Sequence, residues 1–202
     1  MTDPERRPSA RQEELLESAY RYVLDHGLTD MSLRPLAAAI GSSPRVLLFL
    51  FENKDGLVKA LLARARTEEL ALLDELALDP EAVPTGLATA TELVWSWLRE
   101  PRHRRLLRLW AEAYARSLVE PEGSWAGFAS ATVHDWLTVL ADRQPRSERD
   151  TEEGAARCTL TLAVLRGCLL DLLATEDEAR VDAAVAGHLE HLRVSAGCSP
   201  RR

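Results

Sequence analysis

Apolar residues recur with helical spacing along most of the chain. Between Gln12 and Asp25 they fall at i, i+1, i+4 and i+5, and Gly27 follows as a helix stop. This stripe consists of Leu15, Leu16, Ala19, Tyr20, Val23 and Leu24. No segment shows the alternation of apolar and polar residues that is typical of a half-buried strand. We therefore predict an all-α fold.

A second, short helix is predicted over Pro35–Ile40, with Ser32 or Arg34 as its cap. Proline lacks an amide hydrogen and is therefore tolerated in the first turn of a helix. Gly41 ends this helix.

A third helix is predicted to begin at Pro44, because Ser43 is a good N-cap and proline suits the first helical position. Its apolar run, Val46 to Phe51, stops at the charged cluster Glu-Asn-Lys-Asp. Two short helices separated by a turn that contains a glycine are the outline of a helix-turn-helix.

The third helix is apolar on almost every side, so it is either a buried core segment or a helix that packs one face inward and presents the other outward. Helical spacing places Leu47, Leu50 and Phe51 on the inward face. Arg45, Val46 and Phe49 lie on another side of the helix, where they could meet a DNA major groove. There an arginine can bind guanine and apolar side chains can contact thymine methyl groups.

A long fourth helix is predicted from about Lys54 to Leu78, and Pro80 and Pro84 then mark a domain boundary. We predict residues 1–56 as an N-terminal helix-turn-helix domain, 54–78 as the connecting helix and 79–202 as a larger C-terminal domain. The helices predicted in that domain are Thr85–Arg99, Arg102–Leu118, Ser124–Asp142, Glu152–Ala174 and Glu176–Val194. Thr175 and Glu178 are predicted to form a capping box for the last helix.

The charge distribution separates the two parts of the chain, whose formal net charge is −7. The first 66 residues carry ten Lys and Arg against nine Asp and Glu, which leaves 15 against 23 for the rest. The basic residues Arg6, Arg7 and Arg11 could lie along a phosphate backbone or belong to a solvated terminus. The acidic total argues against a general nucleic-acid-binding protein.

The three cysteines form no CxxC pair, and no His/Cys cluster has zinc spacing, so neither a disulfide framework nor a metal site is expected. The N-terminus lacks an apolar signal core, and no membrane span is expected. We therefore predict a cytoplasmic protein without a cofactor. Since no nucleophile motif or phosphate-binding glycine loop occurs, an enzyme is not expected.

One combined motif spans roughly the first 60 residues, in SLRPLAAAIGSSPRVLLFLFENKDGL and the preceding LLESAYRYVLDHGL. The residues that carry it are Gly27, Ser32, Ala37 to Gly41, Ser43, Leu47, Phe51, Lys54, Asp55 and Leu57. This motif resembles the N-terminal domain of the TetR family of one-component transcriptional repressors. The remaining two-thirds of the chain shares only the helical layout of that family.

DNA contacts are expected from the second helix, the turn, the third helix and the residue that opens the fourth. The expected residues are Ser32, Leu33, Arg34, Ser42, Ser43, Pro44, Arg45, Val46, Leu48, Phe49 and Lys54. The sequence departs from the family at Leu48, where a phosphate-binding tyrosine is usual, and at Pro35, where an acidic residue is frequent. Both departures bear on operator affinity and sequence more than on the fold.

A two-fold operator requires a two-fold protein, so we expect a homodimer. The resemblance implies an intermolecular four-helix bundle built from the last two helices, and the alternative is a monomer core. The expected dimer residues are Cys158, Leu162, Leu165, Leu169, Leu172, Val181, Val185, His188 and Leu192.

The resemblance also implies an effector cavity among the central helices, where the tryptophans cluster. The expected ligand-binding residues are Trp95, Arg108, Trp110, Tyr114, Phe128, His134 and Trp136, although any one tryptophan is more often plain core. The basic run from Arg99 to Arg108 could bind an acidic effector or DNA, but we favour a solvated face paired with carboxylates. The cysteines could sense oxidants, but we expect their thiols to be buried and inert.

Together these patterns predict a homodimeric regulator that binds a palindromic DNA operator, acts as a repressor and is released by a small, partly apolar effector. The second hypothesis is a helical small-molecule-binding dimer that has lost DNA binding, which Leu48 and the acidic total charge favour.

Overall fold

The computed structural model describes residues 9–28, 31–76 and 86–197. Within these ranges the chain forms ten α-helices and no strand, so the all-α prediction is confirmed. The helices are α1 Ala10–His26, α2 Leu33–Ala39, α3 Pro44–Phe51, α4 Lys54–Leu76, α5 Gly86–Leu98, α6 Arg104–Val119, α7 Phe128–Asp142, α8 Arg146–Arg149, α9 Glu152–Thr175 and α10 Glu178–Gly197.

The contacts divide the chain into two compact units. The first unit comprises the chain up to Glu69 together with Leu109–Ala129, and the second comprises Leu70–Arg108 together with the chain from Ser130 onward. The first unit therefore combines the helix-turn-helix with most of α6, a grouping that the sequence pattern does not suggest.

A hydrophobic core holds α1 to α4 together in the first unit. Its fully buried side chains include Tyr20 from α1, Leu36 from α2, Leu47 from α3 and Leu61 from α4. Side chains from all four helices thus meet in one core. Burial of each large apolar side chain contributes about 1.5–3 kcal/mol.

Arg64 ties α4 to α1 at the edge of this core. Its guanidinium contacts Glu17 of α1 at 2.9 Å and Glu68 of α4 at 3.0 Å, and it lies 4.6 Å from the centroid of the Tyr20 ring. Burial, with a smaller contribution from Glu68, raises the pKa of the Tyr20 hydroxyl. Tyr20 consequently stays neutral at any physiological pH.

Glu112 of α6 stabilises the C-terminal end of α1. Both of its carboxylate oxygens accept the Leu28 backbone N–H at 3.0 Å. A Cβ atom at Gly27, where φ is +79°, would lie 3.2 Å from the same carboxylate. Glycine is therefore favoured at this position for two reasons: the backbone is in the left-handed region, and Glu112 approaches it closely.

Helices α5, α9 and α10 pack against one another in the second unit. The apolar stripes predicted for dimerisation form the contacts between them: Cys158, Leu162, Leu165, Leu169, Leu172, Val181, Val185 and Leu192 are each at most 7% exposed within a single chain, and His188 is half-buried. These residues are thus packed within a single chain, and a role for them between two protomers stays a prediction. Helical periodicity identified the stripes but could not identify what covers them.

Helix α9 is apolar on more than its packed side. Its most apolar 18-residue window has a mean hydropathy of 1.6, and only 33% of that window is buried. By length and composition alone this helix could cross a membrane, which is weak evidence against the expectation that the chain has no membrane span. The core helix of a soluble protein can have the same length and apolar composition.

Several helix ends differ from the prediction. Helix α1 begins earlier because the Ser9 side chain accepts the Gln12 N–H, and α7 begins only at Phe128 because Gly127 has a φ of +75°. Helix α8 is short and was not predicted. At the α9–α10 junction the Asp177 carboxylate accepts the Arg180 N–H at 3.1 Å, whereas Thr175 is the last residue of α9. The predicted capping box of Thr175 and Glu178 is therefore wrong.

Candidate DNA-binding surface and effector region

The turn between α2 and α3 has the geometry of a helix-turn-helix. The chain bends by 102° between the two helices, within the range of about 90–120° that is typical of this motif. Gly41 adopts a φ of +64° and donates its N–H to Ala38, while Ser42 donates to the Ala37 carbonyl at 2.8 Å. These two hydrogen bonds form a Schellman motif, which ends α2 and directs the chain into α3.

Both ends of α3 are fixed locally. The Ser43 hydroxyl accepts the Val46 N–H at 3.3 Å and Pro44 occupies the first turn, so the predicted start of α3 is confirmed. Beyond the helix, Glu52 adopts a φ of +68° and Asn53 donates its backbone N–H to the Phe51 carbonyl at 2.8 Å. The Asn53 side chain then accepts the Gly56 N–H at 2.8 Å and caps α4.

Helix α3 packs one face into the first unit and exposes the other. Leu47 is 1% exposed and Phe51 5%, as predicted for the inward face. Arg45, Val46 and Phe49 are exposed, and Phe49 reaches 84%. The structure therefore supports the second of the two alternatives for this apolar helix.

The other expected DNA contacts lie at different depths. Ser32, Arg34, Ser43, Leu48 and Lys54 are exposed. The remaining two non-proline positions are less accessible, because Leu33 is half-buried in the first-unit core and the Ser42 hydroxyl oxygen is buried. Pro44 is also half-buried.

Of the basic N-terminal residues, Arg11 forms an exposed ion pair with Glu14 at 2.7 Å. Arg6 and Arg7 lie outside the described residues.

The basic run between α5 and α6 is paired with acidic residues of the second unit. Arg99 contacts Asp182 at 3.0 Å, and Arg104 contacts Glu178 at 2.7 Å. Arg108 lies 3.6 Å from Glu176. The interpretation of this run as a solvated face paired with carboxylates is confirmed for these three arginines.

The expected effector residues divide between the two units. Trp110, Tyr114 and Phe128 belong to the first unit, where the Trp110 and Tyr114 ring centroids lie 5.1 Å apart and Trp110 packs against the core that contains Phe128. The Trp110 indole nitrogen is buried and has no hydrogen-bond partner in the described part of the chain. A buried donor of this kind can bind an acceptor group of a ligand.

In the second unit, Trp95 is buried and donates its indole N–H to Asp182 at 2.8 Å, and Trp136 is buried as well. His134 and Arg108 are exposed, and Arg108 contacts Glu176. This placement does not support the expectation that these two residues are the polar contacts of an enclosed ligand. The two neighbours of Arg108, Leu107 and Leu109, are buried, because a shift of one position along a helix changes the face.

The thiols of Cys158 and Cys168 have raised pKa values, chiefly because of burial. The Gln144 amide nitrogen lies 2.6 Å from the Cys158 sulfur. Because the thiolate is the reactive form, a raised pKa makes both thiols poor nucleophiles, as expected. Cys198 lies outside the described residues.

Comparison with solved structures places this architecture among known folds. A transcriptional regulator from Rhodococcus sp. Rha1 has a TM-score of 0.74 and 22% sequence identity, over 94% of this chain and 99% of that chain. A TetR-family regulator from Cytophaga hutchinsonii has a TM-score of 0.75 and 15% identity, over 99% and 100%. The chain has the fold of TetR-family transcriptional regulators.

The TetR fold is shared with the multidrug binding protein EbrR in its complex with proflavin, which has a TM-score of 0.65 and 23% identity over 90% of this chain and 99% of that chain. No protein-family model and no curated protein sequence matches the chain. The similarity to the TetR fold is thus one of three-dimensional structure, and it agrees with the resemblance of the helix-turn-helix sequence.

Proposed function

We propose that the chain is a TetR-like one-component transcriptional regulator of the cytoplasm, which binds a palindromic operator as a homodimer and acts as a repressor. The observation that carries the proposal is the outward face of α3, with Arg45, Val46 and Phe49 exposed on a helix fixed at both ends. A large aromatic side chain in water forgoes about 1.5–3 kcal/mol of burial free energy. Contact with a DNA groove would recover part of it.

The chemistry of this face suits base recognition in a major groove. The Arg45 guanidinium can donate two hydrogen bonds to a guanine, and Val46 and Phe49 can contact thymine methyl groups. Ser32, Arg34, Ser43 and Lys54 are exposed around α3 and supply donors for phosphates. Leu48 is 39% exposed and can donate no hydrogen bond, so this protein would rely more on the other phosphate contacts.

Homodimerisation is supported by an exposed face of small and apolar residues in the second unit, which we call the α9 outer face. Helical spacing of four and three residues aligns its members Ala156, Leu160, Ala163, Gly167, Leu170 and Ala174, and all six are exposed. A Cβ atom added at Gly167, or at Gly187 of α10, would meet nothing within 4 Å. A second copy of the chain fits this face, because small residues let two helix backbones approach closely and because a palindromic operator requires two-fold symmetry.

The effector is proposed to be small and partly apolar, and to release the protein from DNA. Trp110 and Tyr114 offer aromatic rings, and the buried Trp110 nitrogen offers a donor. EbrR, which shares the TetR fold, is a multidrug binding protein that was solved with proflavin and with imidazole. Release requires that the effector bind the arrangement with low DNA affinity better than the other, typically by about 1–3 kcal/mol.

A second candidate is a small-molecule-binding dimer without DNA binding. Leu48 favours it, because this apolar side chain stands on the exposed face of α3 where the TetR family usually has a phosphate-binding tyrosine. Retention of DNA by the purified protein distinguishes the two candidates.

The test is to select fragments of the source genome on purified protein at low salt and to sequence those retained. We expect enrichment of an inverted repeat with half-sites about 34 Å apart. Retention of no duplex would overturn the proposal in favour of the second candidate.

Two substitutions then assign roles on the selected operator. Arg45→Ala should relax preference at one base pair, at a cost of about 1–3 kcal/mol in discrimination. Lys54→Ala should weaken binding to all duplexes and reduce the salt slope by about 1. Arg21→Ala is the matched control, since it removes an exposed arginine from α1 whose hydrogen bonds are to Glu17 and Ser18 of the same helix.

A further inference from the structure

Gln12 of α1 connects the first helix to the end of the third. Its side-chain Nε2 donates a hydrogen bond to the Leu50 carbonyl at 3.0 Å, across 38 positions of sequence. Both residues are half-buried, so water competes less for this hydrogen bond than at an exposed site.

The Leu50 carbonyl needs a partner from outside α3. The last four carbonyls of any α-helix lack an intrahelical donor, and these make up half of an eight-residue helix such as α3. The next carbonyl, that of Phe51, accepts the Asn53 N–H. Gln12 and Asn53 therefore donate hydrogen bonds to two successive carbonyls at the C-terminal end of α3.

Gln12 is also placed for a different, local role that it does not fill. It stands three residues after the N-cap Ser9, whose hydroxyl accepts the Gln12 N–H at 3.2 Å. In a capping box the side chain at this position returns to the N–H of the cap residue. Here the side-chain NH2 group donates to the Leu50 carbonyl, and the structure shows no hydrogen bond from the Ser9 N–H to the Gln12 side-chain oxygen.

We propose that Gln12 is a positioning residue, which fixes the rotation of α3 about its own axis and so directs Arg45, Val46 and Phe49 towards DNA. Side-chain tips lie about 5 Å from a helix axis, so a rotation of about 10° moves them by about 1 Å. Base-edge hydrogen bonds do not tolerate a displacement of that size as well as phosphate contacts do. The inference rests on the proposed DNA-binding function.

Gln12→Met tests it, because methionine keeps the length and the neutral charge of the side chain but cannot donate. We expect affinity for the selected operator to fall about 5- to 20-fold, in line with loss of one partly buried hydrogen bond. Affinity for an unrelated duplex, and the salt slope, should change by less than twofold. Ala10→Met is the matched control, since Ala10 is an exposed residue of the same turn.

Gln12→Glu separates positioning from stability. Glutamate cannot donate to Leu50, yet it is favoured three residues after an N-cap and near a helix N-terminus. We expect the melting temperature to stay the same or to rise, while the ratio of operator affinity to affinity for the unrelated duplex falls at least as far as in Gln12→Met. The added negative charge lowers the affinity for both duplexes alike, so its effect cancels in this ratio.

The outcomes are distinguishable. If wild type binds an operator and Gln12→Met matches Ala10→Met, the positioning role is overturned while the regulator function stands. Equal losses on operator and unrelated duplex overturn it as well, because they indicate general damage to the domain. If wild type retains no duplex, the function and the inference that depends on it both fail.

Discussion

Phe49 and Leu47 are two positions apart on α3, yet Phe49 is 84% exposed and Leu47 is 1% exposed. The helical period predicted this difference, because two residues turn a helix by about 200°. The local caps at Ser43 and Asn53 were also within reach of sequence reasoning, since each side chain bonds to a backbone group three residues away. Gln12 and Glu112 were not, since their partners lie 38 and 84 positions away.

Gly56 is the residue on which the α3–α4 junction depends most directly. A Cβ atom at this position would overlap the Phe51 carbonyl oxygen, which belongs to backbone and cannot rotate away. We expect Gly56→Ala to lower the free energy of unfolding by about 1–3 kcal/mol, the usual cost of overpacking, although alanine is the better helix former. Chemical denaturation followed by circular dichroism measures this change.

Lys59→Ala is the matched control for Gly56→Ala, because Lys59 is an exposed residue of the same helix. We expect it to change stability by less than about 0.5 kcal/mol. An unchanged or increased stability of Gly56→Ala would show that the end of α3 adjusts freely.

At the scale of elements, the junction of α9 and α10 shows how a sequence signature can occur in the wrong register. Thr175 and Glu178 have the spacing of a capping box, but α9 continues through Thr175 and reverses at Glu176, whose φ is +57°. The cap of α10 is Asp177, two residues further on. Helix α9 ends here because Glu176 donates its N–H to the Leu172 carbonyl at 3.0 Å, and the four-residue signature did not reveal that end.

Substitution of the two candidate caps distinguishes these registers. Asp177→Ala removes the acceptor of the Arg180 N–H and should lower the free energy of unfolding by about 0.5–2 kcal/mol. Thr175→Ala should cost less, since its hydroxyl donates to the Asp171 carbonyl of its own helix and accepts the Asp177 N–H at the long distance of 3.3 Å. A greater loss for Thr175→Ala, measured by thermal unfolding, would restore the predicted capping box.

At the scale of the whole molecule, the apolar residues of α9 exceed what one chain covers. Leu165 and Leu169 are buried inside the second unit, whereas Leu160 is 52% and Leu170 46% exposed on the α9 outer face. A helix that is apolar on both sides is expected to be covered on both sides. The proposed homodimer supplies that second cover.

Gly167→Arg tests the dimer, because it places a long charged side chain in the middle of the α9 outer face, where open space surrounds the glycine. We expect the variant to be a monomer by sedimentation equilibrium, with helical content unchanged and operator affinity reduced at least tenfold. Thr89→Arg, at an exposed position of α5, is the matched control and should stay dimeric. A dimeric Gly167→Arg, or a monomeric wild type, would refute the proposed interface.

The sequence by itself determined the helices other than α8, the position of the turn at Gly41 and the outward face of α3. These features depend on periodicity and on caps, which act within one or two turns of a helix. The tertiary structure alone decided which apolar face of α9 lies inside the protomer, which aromatic residues share a unit and which backbone group Gln12 binds. Each of these three features depends on contacts between groups that are distant in sequence. The same local spacing of residues is compatible with more than one set of such contacts.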